Sequence, residues 1–166
     1  MKDFDRSQYT GRWYEHRRDY WTEYEFWSDC VTATYDELGT DSVKVTNRGY
    51  YWWALFSYWT VQGEASCKLK NARCKVNFGY RDTVDLDDNY LVLDTDYKSY
   101  SIVYSCFRTW YGLAINETLW ILTRKPEISA AYSKEIMGKV RKLVPSYMGP
   151  SYYTLQGETT NSCSYV

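Results

Sequence analysis

The sequence predicts an all-β chain of about eight short antiparallel strands, closed as a barrel or stacked as a sandwich, with one amphipathic helix near its C-terminal end. Side chains alternate in twos along most of the chain, and turn signals interrupt the alternation at even spacing. One segment alone keeps a helical period. At 166 residues the chain reads as a single domain, 1–166, long enough to bury a core without metal or repeats.

Trp13-Tyr14-Glu15-His16 is the first strand. Val31 to Tyr35 alternates larger and smaller side chains and stops at Asp36-Glu37-Leu38-Gly39, where glycine supplies positive φ. Ser42 to Thr46 sets Val43 and Val45 on one face. Thr60 to Ala65 and Cys74 to Phe78 follow, joined by the polar loop Lys68 to Arg73. Tyr90 to Leu93 and Tyr100 to Tyr104 flank Asp96-Tyr97-Lys98-Ser99, the tight connection of a hairpin. Leu119 to Thr123 is the eighth strand. Tyr132, Ile136, Val140 and Leu143 then recur at helical spacing, with Lys134, Lys139 and Lys142 on other faces. Pro126 permits a helix start and Pro145 enforces a stop, leaving a short extended tail.

A formal net charge of −1 gives no general pull toward nucleic acid or anionic membrane. No apolar run approaches the ~20 residues of a membrane span. The longest, Gly49 to Trp59, is aromatic and broken by Ser57. The first residues lack the apolar core of a secretory signal, while five cysteines favour a mature secreted domain over a cytoplasmic protein. Without Cys-x-x-Cys, and with one histidine, no metal site is expected. Aromatics make up 19% of the chain, as 19 Tyr and 8 Trp against 5 Phe. Tyr and Trp combine an apolar body with a polar tip, as wet binding surfaces require.

Three motifs stand in order along the chain: Phe4-Asp5 followed by Tyr9-Thr10-Gly11-Arg12-Trp13-Tyr14-Glu15, then Leu93-Asp94-Thr95-Asp96-Tyr97 with Val103-Tyr104-Ser105-Cys106 beyond it, then Trp120-Ile121-Leu122-Thr123-Arg124. The first resembles the opening Gly-x-Trp signature of the lipocalin family, and the other two are similar to its second and third signatures. The resemblance leans toward the branch of apolipoprotein D, the insect bilin-binding proteins and the crustacean carotenoid-binding crustacyanins. It implies an eight-stranded up-and-down barrel with one C-terminal helix packed on it. It also implies that Gly11, Trp13, Thr95, Asp96, Tyr97 and Arg124 close the base, with the Arg124 guanidinium over Trp13, and take no part in ligand binding. A Cys30–Cys163 bridge matches this branch, and the branch's other bridge would leave Cys106 without its upstream partner. Cys67 and Cys74 lie near enough across a hairpin to pair, with no family precedent.

The family's open end is formed by the loops joining strands one–two, three–four, five–six and seven–eight, where this chain carries its unusual aromatics. Tyr24, Trp27, Tyr50, Trp52, Trp53, Phe56, Tyr58, Trp110 and Tyr111 are the candidate ligand-binding residues. The expected function is transport or sequestration of a small apolar, conjugated ligand: a bilin or carotenoid chromophore, a retinoid or a fatty-acid-like lipid. One alternative is a cationic amine caged by aromatics beside Glu23, Glu25, Asp29 and the Asp82 to Asp88 loop. Another is a rim that grips a second copy or another protein. No catalytic residues are expected, since His16 and the scattered carboxylates form no convergent set.

Overall fold

A computed structural model describes the chain except residues 2, 23, 24, 26, 40, 41, 53, 68–71, 80–88, 110–113, 158–162 and 166, with backbone alone for 106–109 and 114–116. Its elements are α1 (Arg6–Tyr9), β1 (Gly11–Asp19), β2 (Ser28–Glu37), β3 (Ser42–Tyr51), β4 (Ser57–Cys67), β5 (Arg73–Asn77), β6 (Tyr90–Thr95), β7 (Tyr100–Thr109), β8 (Ala114–Thr123), α2 (Ala130–Leu143) and β9 (Ser151–Tyr153). Neighbouring strands pair antiparallel in the order β2 through β8, then β1 and β9, and β1 pairs back onto β2. The eight-stranded barrel is closed, as expected, and α2 packs outside it.

The strands run longer than their cleanest alternation. β3 continues to Tyr51 and β4 starts at Ser57, so most of the aromatic run expected as a connection is strand. Tyr50 faces Tyr58 and Gly49 faces Trp59 across an unbroken register. The expected extended tail becomes a ninth strand on β1.

Two apolar layers share β7 and β8. Val103 and Leu122 point inward and join Tyr9, Trp13, Tyr35, Val43, Val45, Ala65 and Val92 in the lower barrel. Ile102, Leu119 and Ile121 point outward and are covered by Ile136 and Val140 of α2. Both faces of these strands are buried, so Ile102-Val103 and Ile121-Leu122 read as continuous apolar pairs. Ser129 caps α2 by accepting the Tyr132 N–H at 3.2 Å.

The base is closed by one side chain. Arg124 lies 3.7 Å from the Trp13 ring centroid. It donates to the carbonyls of Tyr97, Arg12 and Thr10 at 3.0, 2.9 and 2.8 Å. Gly11, at φ +89°, is bare because a Cβ would meet the Arg124 Nη1 at 3.3 Å. Asp96 fastens the hairpin by accepting the N–H groups of Lys98, Ser99 and Tyr100.

At the other end β1 and β2 part. They pair only where Gly11 to Tyr14 meets Thr32 to Tyr35. Above that, residues 151–156 fill the gap: Cys30 N donates to Leu155 O, and Gln156 Nε2 bridges Glu15 O and Val31 O at 2.8 and 2.6 Å. The Cys30–Cys163 disulfide ties the tail down, and Cys67–Cys74 clamps the β4–β5 hairpin.

Candidate functional site

The lower barrel is full. Tyr35 and Tyr90 hydroxyls lie 2.6 Å apart, and Tyr9 continues the chain to Ser101 Oγ at 2.8 Å. Burial pushes the Tyr9 hydroxyl up to about 12 and holds Tyr35 and Tyr90 well above their ordinary value, so all three stay neutral donors and acceptors. The void beside them, lined by Val43, Ala65, Val76 and Val92, measures about 20 Å³ and holds one water at most. These tyrosines form a floor below the mouth half of the barrel.

Strand parity assigns the walls of that half. Val43 and Val45 point inward, so Asn47, Gly49 and Tyr51 follow them up β3. Ala65 likewise fixes Val61, Trp59 and Ser57 on β4. A methyl group at Gly49 would meet Val31 and the Tyr51 ring at 3.2 and 3.3 Å, so the missing side chain lets Tyr51 fold across the wall. Gly63 is more tightly required, since a Cβ there would lie 2.4 Å from Asn77 O and 2.7 Å from Phe78.

Opposite stands a buried charge cluster. Arg18 meets Glu15 at 2.7 Å, each 2% exposed. Arg18 also donates to Thr154 Oγ1 and to the carbonyls of Glu25 and Ser28. Glu25, 5% exposed, accepts the Trp120 indole N–H at 2.9 Å. Two carboxylates share one guanidinium. Desolvation and the neighbouring Glu15 charge push Glu25 up to about 8, so the pair keeps a proton through neutral pH.

That proton makes stability pH-dependent. A carboxyl raised in the folded state stabilises fully below its unfolded value of 4.5, and the gain is lost as pH rises through about 8. His16 works oppositely: burial and Arg17 lower it from 6.5 to about 4, so its contribution is present above 6.5 and lost on acidification. Of these two groups, only Glu25 titrates between pH 6.5 and 8. Urea melts should show stability falling by up to about 2 kcal/mol across that window, and Glu25→Gln should flatten the slope. An unchanged slope in the variant would locate the titrating group elsewhere.

The sequence-based candidates fall in three places. Tyr50 and Tyr58 lie on the outer face, because β3 and β4 keep their alternation through the aromatic run, and Trp52 follows them in the connection. Trp52 donates to Asp29 at 3.1 Å, Tyr50 packs on Tyr58 at 5.2 Å, and Tyr58 lies under Arg48 at 3.8 Å with its hydroxyl accepting Ser164 N–H. Trp27 and Phe56 stand exposed at the rim. Tyr24, Trp53, Trp110 and Tyr111 lie outside the described residues, as do Glu23, the Asp82 to Asp88 loop and the Cys106 thiol. Tyr51 and Trp59 belong to the same aromatic run but are not among the candidates, nor is Trp120; counting in twos from Val45 and Ala65 reaches the first two. Of the carboxylates offered to an amine, Asp29 faces outward, where it accepts Leu155 N–H, and Glu25 is engaged by Trp120. His16 also lies outside, against Ser133 of α2 at 2.7 Å.

The family model for a lipocalin-like domain matches residues 4–148. The chain is 29% identical over 153 residues to the Lazarillo protein of Schistocerca americana, covering 86% of this chain and 66% of that one. It is 30% identical over 142 residues to bovine (Bos taurus) apolipoprotein D, covering 82% and 71%. Against rat (Rattus norvegicus) apolipoprotein D it covers 64% of the relative, so the chain spans about two thirds of the length of the first curated relatives it matches. Among solved structures, insecticyanin of Manduca sexta superposes with a TM-score of 0.79 at 23% identity, covering 99% and 86% of the two chains. Lobster apocrustacyanin A1 gives 0.73 at 17% identity, covering 93% and 81%. A family match over most of the sequence thus falls on a closed barrel with its helix outside and Arg124 over Trp13 at its base, and the chain belongs to the lipocalin family.

Proposed function

We propose that this chain binds and carries a small apolar, conjugated ligand in the mouth half of its barrel, and that it does so as a secreted protein without catalysis. A bilin, a carotenoid, a retinoid or a fatty-acid-like lipid fits this class. The observation that carries the reading is the strand parity that turns Tyr51 and Trp59, the latter 54% exposed, to the inner side above a floor closed by Tyr9, Tyr35 and Tyr90. Extended π-systems pack face to face or edge to face on such rings. Lipocalins bind small hydrophobic ligands, and one relative, 30% identical over 113 residues, is the retinol-binding protein 4-B of Oncorhynchus mykiss. Two disulfides fit an oxidising compartment.

Titration with all-trans-retinol or biliverdin should quench tryptophan fluorescence. Tyr51→Ala with Trp59→Ala should weaken binding by about 1–3 kcal/mol, the scale of buried aromatic contacts at a hot spot. Trp52→Ala, on the outer face, should leave affinity unchanged. If Trp52→Ala weakens binding and the double variant does not, the ligand sits on the rim and the cup reading fails.

A further inference from the structure

We propose that the β3–β4 tip, with the exposed Trp27 beside it, docks on the surface of a neutral phospholipid bilayer. Leu55 is 93% exposed and Phe56 64% exposed at the apex of the connection. Both hold left-handed backbone conformations, φ +53° and +55°, that disfavour side chains of their size. Folding spends backbone strain to present two apolar side chains to water, where packing within the chain returns little. Ser57 Oγ donates to Ala54 O at 2.5 Å, fixing the turn.

The surroundings indicate what covers them. No charged residue occurs from Gly49 to Gly63. The Trp52 ring packs on Phe56 at 6.2 Å, and the Trp52 backbone N–H donates to Trp27 O at 3.4 Å, which brings the exposed Trp27 alongside. Behind them Tyr50 and Tyr58 face each other across the strands. Arg48, the first charge down β3, lies roughly 10 Å behind the strand ends at the rise of a β-strand. Asp29, level with Tyr50, is buried and takes the N–H groups of Trp52 and Leu155, so its charge is withdrawn from the surface. Aliphatic and phenyl groups at the apex, Trp and Tyr behind them and a guanidinium last is the order that a bilayer interface imposes with depth. A protein partner would be met by anchors set in a pocket with a polar rim. Among the described residues this tip is convex and uncharged, the shape of something that enters a fluid boundary.

The test is flotation of the ligand-free protein with phosphatidylcholine vesicles. The protein should float with the vesicles, equally in low and high salt. Leu55→Ser with Phe56→Ser should lower the bound-to-free ratio at least about tenfold, with the thermal midpoint unchanged. The tip has no bilayer role if the unaltered protein stays in the soluble fraction, or if the double variant floats equally. Loss of flotation in high salt would mark a charge-driven contact and overturn it as well. A sedimentation mass that doubles without lipid and returns to one chain in the variant, with no flotation, would assign the tip to a second copy instead. Vesicles without ligand keep this outcome separate from the cup reading, whose failure would show in the retinol titration alone.

Discussion

Replacing Trp13 by alanine is expected to destabilise the protein by about 3–5 kcal/mol, the range for truncating a buried aromatic. Trp13 is fully buried, donates its indole N–H to Tyr9 O at 2.9 Å, and carries the Arg124 guanidinium on its face. The variant therefore loses core volume and a cation–π contact of about 0.5–2 kcal/mol together. Small domains hold about 5–15 kcal/mol in all, so the fold should survive with a midpoint lower by roughly 6–20 °C. Ligand affinity of the folded fraction should not move, because the tyrosine floor stands between Trp13 and the mouth. Full stability with lost binding would place the ligand at the base and refute the division of the barrel into a packed half and an open half.

Removing the tail bridge is the second large effect. Cys30 and Cys163 are 133 residues apart, whereas Cys67 and Cys74 are 7 apart. Loop-closure entropy assigns about 5 kcal/mol as the ceiling for the long bridge and roughly 2 kcal/mol for the short one. Cys30→Ser with Cys163→Ser should accordingly cost about 2–5 kcal/mol, more than Cys67→Ser with Cys74→Ser. Denaturant melts of the two double variants measure both. Thiol titration of the denatured, unreduced protein should find one free thiol, from Cys106. Five free thiols would remove both bridges and the extracellular assignment with them.

What could be read in advance was what local alternation decides. Val43 and Val45 in twos, the Asx turn at Asp96 and the helical spacing of Ile136 and Val140 each depend on neighbours in sequence, and each element stands where it was expected. The base was legible through motif resemblance, because Gly11, Trp13 and Arg124 form a unit whose residue types are sterically required. The mouth was harder. Reading the run from Tyr50 as a connection, with the next strand beginning only at Tyr58, left unused the parity that sends Tyr51 and Trp59 inward and Tyr50 and Tyr58 outward. The Glu15–Arg18–Glu25 cluster was not legible by alternation at all. In a regular strand Glu15 and Arg17 would share a face and Arg18 would point out. A bulge at His16 shifts the register between Glu15 and Arg17, so that Arg17 pairs with outward Ile121 and Arg18 with Trp120. Such a bulge is set by tertiary contacts, among them Thr154, which reaches Glu15 and Arg18 from the far end of the chain.

The filling of the β1–β2 gap by residues 151–156 also bears on the order of synthesis. Thr154 and Gln156 complete the surroundings of Glu15 and Arg18 across sequence separations of 136 to 141 residues. As the chain emerges from the ribosome, β1 through β8 and α2 are all made before the last piece of the wall exists. Until then Arg18 lacks Thr154, and Cys30 lacks both Leu155 and its sulfur partner. Pairings this distant are slow to form, and they leave strand edges open while they wait. Completion of this wall therefore waits on residues 151–156, which are made after all eight strands they seal.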